Sequence, residues 1–95
     1  NAYKMNKSIR TYSKYNSSLF IPGYMPEELF WLLVELSPIH SERIIMGLKD
    51  FLVYGLERKD IYITRKISAG YFSNALGRLQ RTSFIVSEIS PYYVK

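Results

Sequence analysis

The chain has 95 residues, 47% of them hydrophobic and 22% charged, with a formal net charge of +5, one His and no Cys. That length allows a single domain with a modest core, and that hydrophobic fraction excludes a wholly disordered chain. Disulfides and thiolate metal sites are excluded with the cysteines, and the apolar stretch through Phe30–Val34 falls far short of the roughly 20 residues a membrane span needs.

Residues 1–18 carry Lys4, Lys7, Arg10 and Lys14 with no acid, and their Tyr residues are scattered among Lys, Asn and Ser without a helical period. They read as a basic, flexible arm ahead of one domain over residues 19–95. Leu19, Phe20 and Ile21 supply apolar anchors, and Pro22 with Gly23 marks a turn. Pro26 in a first turn, followed by Glu27 and Glu28 beside the positive helix end, predicts a helix over residues 26–36. Its sequence, ELFWLLVEL, is apolar on nearly every side, so it must be buried all round, either by its own domain or by another copy of the chain. Leu29, Phe30, Trp31, Leu33 and Val34 are therefore the expected oligomerisation residues, for a homodimer or higher oligomer.

Ser41 is the expected N-cap of a helix over residues 42–54, with Ile44, Ile45, Leu48, Phe51 and Leu52 at helical spacing and Gly55 as its stop. His40 has no Cys or second His nearby to make a metal site or a base with an orienting partner, and it is assigned a loop or packing role. Residues 19–57 hold six acids against Arg43 and Lys49, whereas residues 58–95 hold seven basic residues against Asp60 and Glu88. Basic ends around an acidic middle favour a polyanionic partner at the ends and assembly through the middle.

A short helix is expected over residues 58–65, with Ile61 and Ile63 in it and Ile67 in the connection that follows. Ser68 then stands as an N-cap, and Phe72, Ala75, Leu76 and Leu79 repeat at i, i+3, i+4 and i+7, which puts one face of the next helix in the core. The opposite face carries Tyr71, Asn74, Arg78 and Arg81, a polar stripe roughly 15 Å long at about 1.5 Å per residue. Arg forks onto guanine or enters a narrow groove, Asn pairs with adenine, and Tyr, Ser and free helix amides hold phosphates. Arg58, Lys59, Arg65 and Lys66 flank the helix as phosphate clamps, and Ser68 and Ser73 join the expected DNA-contacting set. Gly70 and Gly77, each costly inside a helix, suggest crowding on this face. Phe84, Ile85 and Ile89 predict a last short apolar helix stopped by Pro91, with Tyr92 and Tyr93 packing onto the domain or a partner.

Aligned to the general helix-turn-helix pattern, Ile61, Ile67 and Phe72 fall at apolar positions. Tyr62 replaces a small residue, Arg65 an apolar one and Lys66 the turn glycine, and these departures argue against the standard interhelical angle and major-groove docking. The run IPGYMPEELFWLLVELSPIHSERIIMGLKDFLVYGLERKD, with GYFSNALGRLQR and SPYYVK after it, resembles the PapB-type adhesin (fimbrial) biosynthesis transcription regulators from about Leu19 to Tyr93. The resemblance implies an all-α DNA-binding regulator of a fimbrial operon, acting as an oligomer on repeated AT-rich double-stranded sites and using minor-groove contacts. It falls on Arg58, Lys59, Tyr71, Ser73, Asn74 and Arg78, whereas Arg65, Lys66 and Arg81 rest on charge and spacing.

The expected architecture is a small all-α bundle of four to five helices containing a helix-turn-helix, working in the bacterial cytoplasm on the nucleoid, with no cofactor and no membrane partner. No catalytic constellation is readable, since there is no Cys nucleophile, no Gly-rich phosphate loop and no Ser, His and Asp set with roles. The competing reading is a helical protein-interaction module in which the basic segments serve solubility alone.

Overall fold

Two serines start two of the helices by the same device. In the computed structural model, which describes residues 18–93, Ser41 Oγ accepts the Ile44 N–H at 3.4 Å and Ser68 Oγ accepts the Tyr71 N–H at 3.1 Å. Each bond satisfies one of the amide donors that a helix start leaves without a partner. Four helices result: α1 over Glu27–Leu36, α2 over Glu42–Leu52, α3 over Arg58–Arg65 and α4 over Ala69–Ile89, followed by a 3-10 turn over Ser90–Tyr92. No strand occurs among the described residues. Apart from Ser18, the expected basic arm lies outside them.

The core takes Phe30 and Leu33 from α1, Ile44, Leu48 and Leu52 from α2, Ile61 from α3, and Phe72 and Leu79 from α4, each at most 2% exposed. The α4 residues Phe72, Ala75, Leu76 and Leu79 all point inward, as their spacing requires. Helix α1 differs from expectation. It is not buried all round, because the domain supplies only one wall: Phe30, Leu33 and Val34 face the core while Leu32 and Leu36 stand 60% and 65% exposed. The C-terminal half of the chain differs too. One helix of 21 residues replaces the recognition helix and separate last helix that were expected. Nothing between Arg81 and Phe84 breaks it, since Thr82 bonds back to the Arg78 carbonyl at 3.1 Å and Ser83 is buried. The helix does end just before Pro91, but Tyr92 and Tyr93 are 86% and 81% exposed and do not pack on the domain.

The segment before α1 is stapled to the end of α2. Gly23 and Met25 donate their N–H groups to the carbonyls of Phe51 and Leu52, each at 3.1 Å, and Gly55 donates to the same Phe51 carbonyl at 3.2 Å. These bonds satisfy carbonyls that a helix end would otherwise leave open. Gly23 and Gly55 both adopt positive φ, +83° and +75°, and a Cβ on either would lie 3.3 Å from the Cα of the other. Only glycine fits both demands. Helix α2 accordingly stops at Leu52, two residues before the expected end.

Helices α1 and α2 are also locked at the surface. Lys49 Nζ lies 2.9 Å from Glu27 Oε2 and sits over the rings of Trp31 and Tyr54, at 5.3 and 5.2 Å from their centroids, while Trp31 Nε1 donates to Glu27 at 3.2 Å. The hydrogen bond from Lys49, with that from Trp31, holds the Glu27 carboxyl below its ordinary 4.5; Glu27 and then Tyr54 hold the Lys49 ammonium above its ordinary 10.5. A depressed acid stabilises the fold above its unfolded pKa and loses that effect as pH falls through its folded one; a raised amine does so below its unfolded pKa. The pair therefore contributes fully between about 4.5 and 10.5. Lys49→Met should lower the urea midpoint at about pH 7, with the gap to wild type narrowing at about pH 3, on the way down through the lowered pKa of Glu27. An equal gap at both pH values would assign the effect to packing alone.

Candidate nucleic-acid interface

Helices α3 and α4 are joined by Lys66, Ile67 and Ser68 alone, and the joint is aromatic. Phe72 packs edge-on against Phe51 and against Tyr62, with both ring-centroid distances 5.6 Å. Tyr62 thus fills, as a ring packed on the joint, the position where the general pattern has a small residue. Gly47 of α2 gives the turn its seat, because a Cβ there would lie 2.8 Å from Ile67 Cδ1 and 3.3 Å from Ile61 Cγ2. The sequence carried no mark of that close approach.

Lys66 caps α3 with φ +56° and ψ +55°, and it is the only described non-glycine residue with positive φ. It keeps the left-handed conformation usual for a turn glycine at a cost of about 1–2 kcal/mol. Its side chain is exposed beside the start of α4. The third departure, Arg65, has an internal partner. Its Nε lies 2.8 Å from Asp50 Oδ2 and an amino nitrogen 3.3 Å from Oδ1, with the Asp50 side chain only 9% exposed. A guanidinium held by both carboxylate oxygens braces α3 to α2. It is not the free phosphate clamp its charge suggested.

The other expected residues separate by environment. The Arg58 guanidinium lies over Phe51 and Phe72, at 4.8 and 5.6 Å from their centroids, and remains exposed at its outer face. Lys59 pairs with Glu57 at 3.7 Å with both side chains at least 70% exposed. Such a pair is worth little and leaves the lysine available. Ser68 is committed to its cap, whereas Ser73 is exposed. Tyr71, Asn74, Arg78 and Arg81 are all exposed, with Arg81 lying 5.7 Å from the Phe84 ring centroid. Helix α4 carries no acid before Glu88. A Cβ on Gly70 or Gly77 would meet nothing within 4 Å, so no contact among the described residues accounts for the expected crowding.

The stripe borders two concavities. In one, Tyr71, Asn74, Ala75 and Arg78 face Pro38, Ile39, His40, Ser41 and Ile44 across about 160 Å³. In the other, Asn74, Gly77, Arg78, Arg81, Thr82 and Ile85 face Leu36 and Pro38. The connection between α1 and α2 therefore shares a wall with the stripe. Of the residues expected to make an oligomer interface, Phe30, Leu33 and Val34 lie in the chain's own core, Leu29 is partly buried against it, and Trp31 is tied to Lys49 and Glu27 while 41% exposed. Leu32 and Leu36 on α1 and Ile85 and Ile89 on α4 are left open, as are Ile21, Leu56 and, at 75% exposed, Ile63 of α3. Among the described residues no cluster of His, Cys, Asp and Glu could hold a metal, and no helix is long and apolar enough to cross a membrane.

Comparison with known proteins gives consistent matches. The family model of PapB, described as adhesin biosynthesis transcription regulatory protein, matches residues 3–93, reaching further back than the quoted motifs. The AFA-III adhesin operon regulatory protein of Escherichia coli is 45% identical over 75 residues, 79% of this chain and 74% of that protein. The F1845 adhesin operon regulatory protein of the same organism is 48% identical over 71 residues, 75% of this chain and 84% of that one. Among solved structures, that of E. coli FocB superposes with a TM-score of 0.75 at 44% identity, covering 85% of this chain and 92% of FocB. The matching family is one of transcription regulatory proteins, not of enzymes.

Proposed function

The chain belongs to the PapB family of adhesin biosynthesis transcription regulatory proteins, and from that premise we propose that it regulates a fimbrial or adhesin operon by applying the first turns of α4 to repeated AT-rich DNA sites. The observation that carries this reading is the exposed row Tyr71, Asn74, Arg78 and Arg81, on a helix with no acid before Glu88 and with Lys66 beside its start. Lys59, Lys66 and the helix ends position the domain on phosphates, while the row and the local groove shape select the site. Such a regulator works in the cytoplasm, on the nucleoid.

Regulation by occupancy requires neighbouring copies to bind together, and the open apolar residues Leu32, Leu36, Ile85 and Ile89 support a face through which they do so. Leu36 and Ile85 border the same concavity, so α1 and α4 present one surface. The arrangement favours a homodimer or higher oligomer whose contact lies beside the stripe.

A salt-dependent titration with AT-rich and mixed-sequence duplexes tests the whole reading. The expected result is tighter, cooperative binding to the AT-rich duplex, with an affinity that falls steeply as salt rises. Equal affinities without a cooperative ladder would reduce the protein to a non-specific binder, and no binding at low salt would return it to a protein-interaction module.

A further inference from the structure

The cleft between the α1–α2 connection and α4 has an apolar floor and a polar rim that includes one guanidinium. Its floor is Ile39, Ile44 and Ala75, at most 7% exposed; its rim is His40, Ser41, Tyr71, Asn74 and Arg78. About 160 Å³ takes one phosphodiester group but not a stacked base pair, and no carboxylate lines the space. Its two ionisable nitrogen groups, His40 and Arg78, come from opposite walls, with the phenol of Tyr71 and the amide of Asn74 also in the lining. The cleft also opens at the positive end of α2, whose first residues follow Ser41. We propose that this cleft seats one backbone phosphate of the bound duplex, gripped by Arg78 and His40, so that protonation of His40 tightens DNA binding. The proposal rests on the DNA-binding reading above and adds a second segment, far from α3 and α4 in sequence, to the interface.

The chemistry is specific to one side chain. Imidazole gains its charge between about pH 8 and pH 5, where no carboxylate or lysine with an ordinary pKa titrates. His40 is the only histidine in the chain. The charged groups on the elements packed around the connection are Glu35 at the end of α1, Glu42 and Arg43 in the first turn of α2, and Arg78 and Arg81 on α4, with the titratable phenol of Tyr71 beside them. Arg78 is the one cation among them that lines the cleft. A phosphate seated between it and a protonated His40 would pair with both.

The test is a titration of wild type, His40→Gln and His40→Arg with an AT-rich duplex of about three helical turns, across salt, at about pH 5.5 and about pH 8. For wild type, the slope of log affinity against log salt should steepen by about 0.9 at the lower pH, the signature of one added phosphate contact, with several-fold tighter binding. His40→Gln should bind with one slope at both pH values, and His40→Arg should show at about pH 8 the steeper slope that wild type reaches only in acid. His40 is exposed in a loop, so both variants should melt with wild type. A pH-independent wild-type slope, or a His40→Gln variant that keeps the wild-type pH dependence, overturns the inference while leaving DNA binding intact. Wild type failing to bind the duplex at either pH would overturn the DNA-binding reading and this inference together.

Discussion

Phe72→Ala is expected to destabilise the domain by about 3–5 kcal/mol, the range found when a buried aromatic is cut back to a methyl group. The ring is fully buried, touches both Phe51 of α2 and Tyr62 of α3, and lies under the Arg58 guanidinium. Removing it leaves a void where three helices meet and takes from Phe51 and Tyr62 the ring they both pack against. Small domains have only about 5–15 kcal/mol in total, so the variant should lose a large fraction of its margin and its urea midpoint should fall without a change in slope. Phe72→Leu should retain most of the stability, because the volume is largely kept. A loss below about 1 kcal/mol for the alanine variant would mean that this aromatic joint does not set the angle between α3 and α4.

Arg78→Ala should have its effect on recognition instead of stability. If Arg78 reads a base edge, the preference between AT-rich and mixed duplexes should fall by about 1–3 kcal/mol, roughly 5- to 150-fold, and Asn74→Ala should do the same. The proper control is Lys66→Gly. If Lys66 holds a phosphate, that change removes the contact, so every sequence should weaken alike and the salt slope should drop by about one contact, while relief of the left-handed strain raises stability by up to about 1 kcal/mol. Opposite movements of melting temperature and affinity in one variant separate fold from interface. A uniform loss for Arg78→Ala would make it a positioning contact, in line with the phosphate seat proposed for the cleft it shares with His40.

Much of the fold was legible because the signals were local. Ser41 and Ser68 announce helix starts within four residues, Gly55 announces a stop, and the spacing of Phe72, Ala75, Leu76 and Leu79 identifies a buried face without reference to any other segment. What escaped depended on partners distant in sequence. Arg65 looked like a free cation because Asp50, which holds it, lies 15 residues away on another helix. The apolar ring of residues on α1 looked like a partner's seat, yet Phe30, Leu33 and Val34 are satisfied within the chain, while Leu32 and Leu36 stay open and Trp31 stays partly so beside Lys49. Continuation of α4 through Thr82 and Ser83 was hidden for a different reason. Short polar side chains are ambiguous in a helix until it is known whether they bond back to the backbone or find a buried place, and here Thr82 does the first and Ser83 ends up inside.

The unbroken α4 also fixes an angular relation. Arg78 and Ile85 are seven residues apart, close to two full turns, so they project from nearly the same side of one rod about 10 Å apart. Any protomer resting on Ile85 and Ile89 would thereby be keyed to the heading of the polar stripe, as two cogs on a shaft are keyed to each other. Inserting a single residue after Arg81 would swing the far end by about 100° and lengthen the rod by only about 1.5 Å. Rotational phase, far more than distance, is what the continuity of this helix holds constant between the polar stripe and the apolar end.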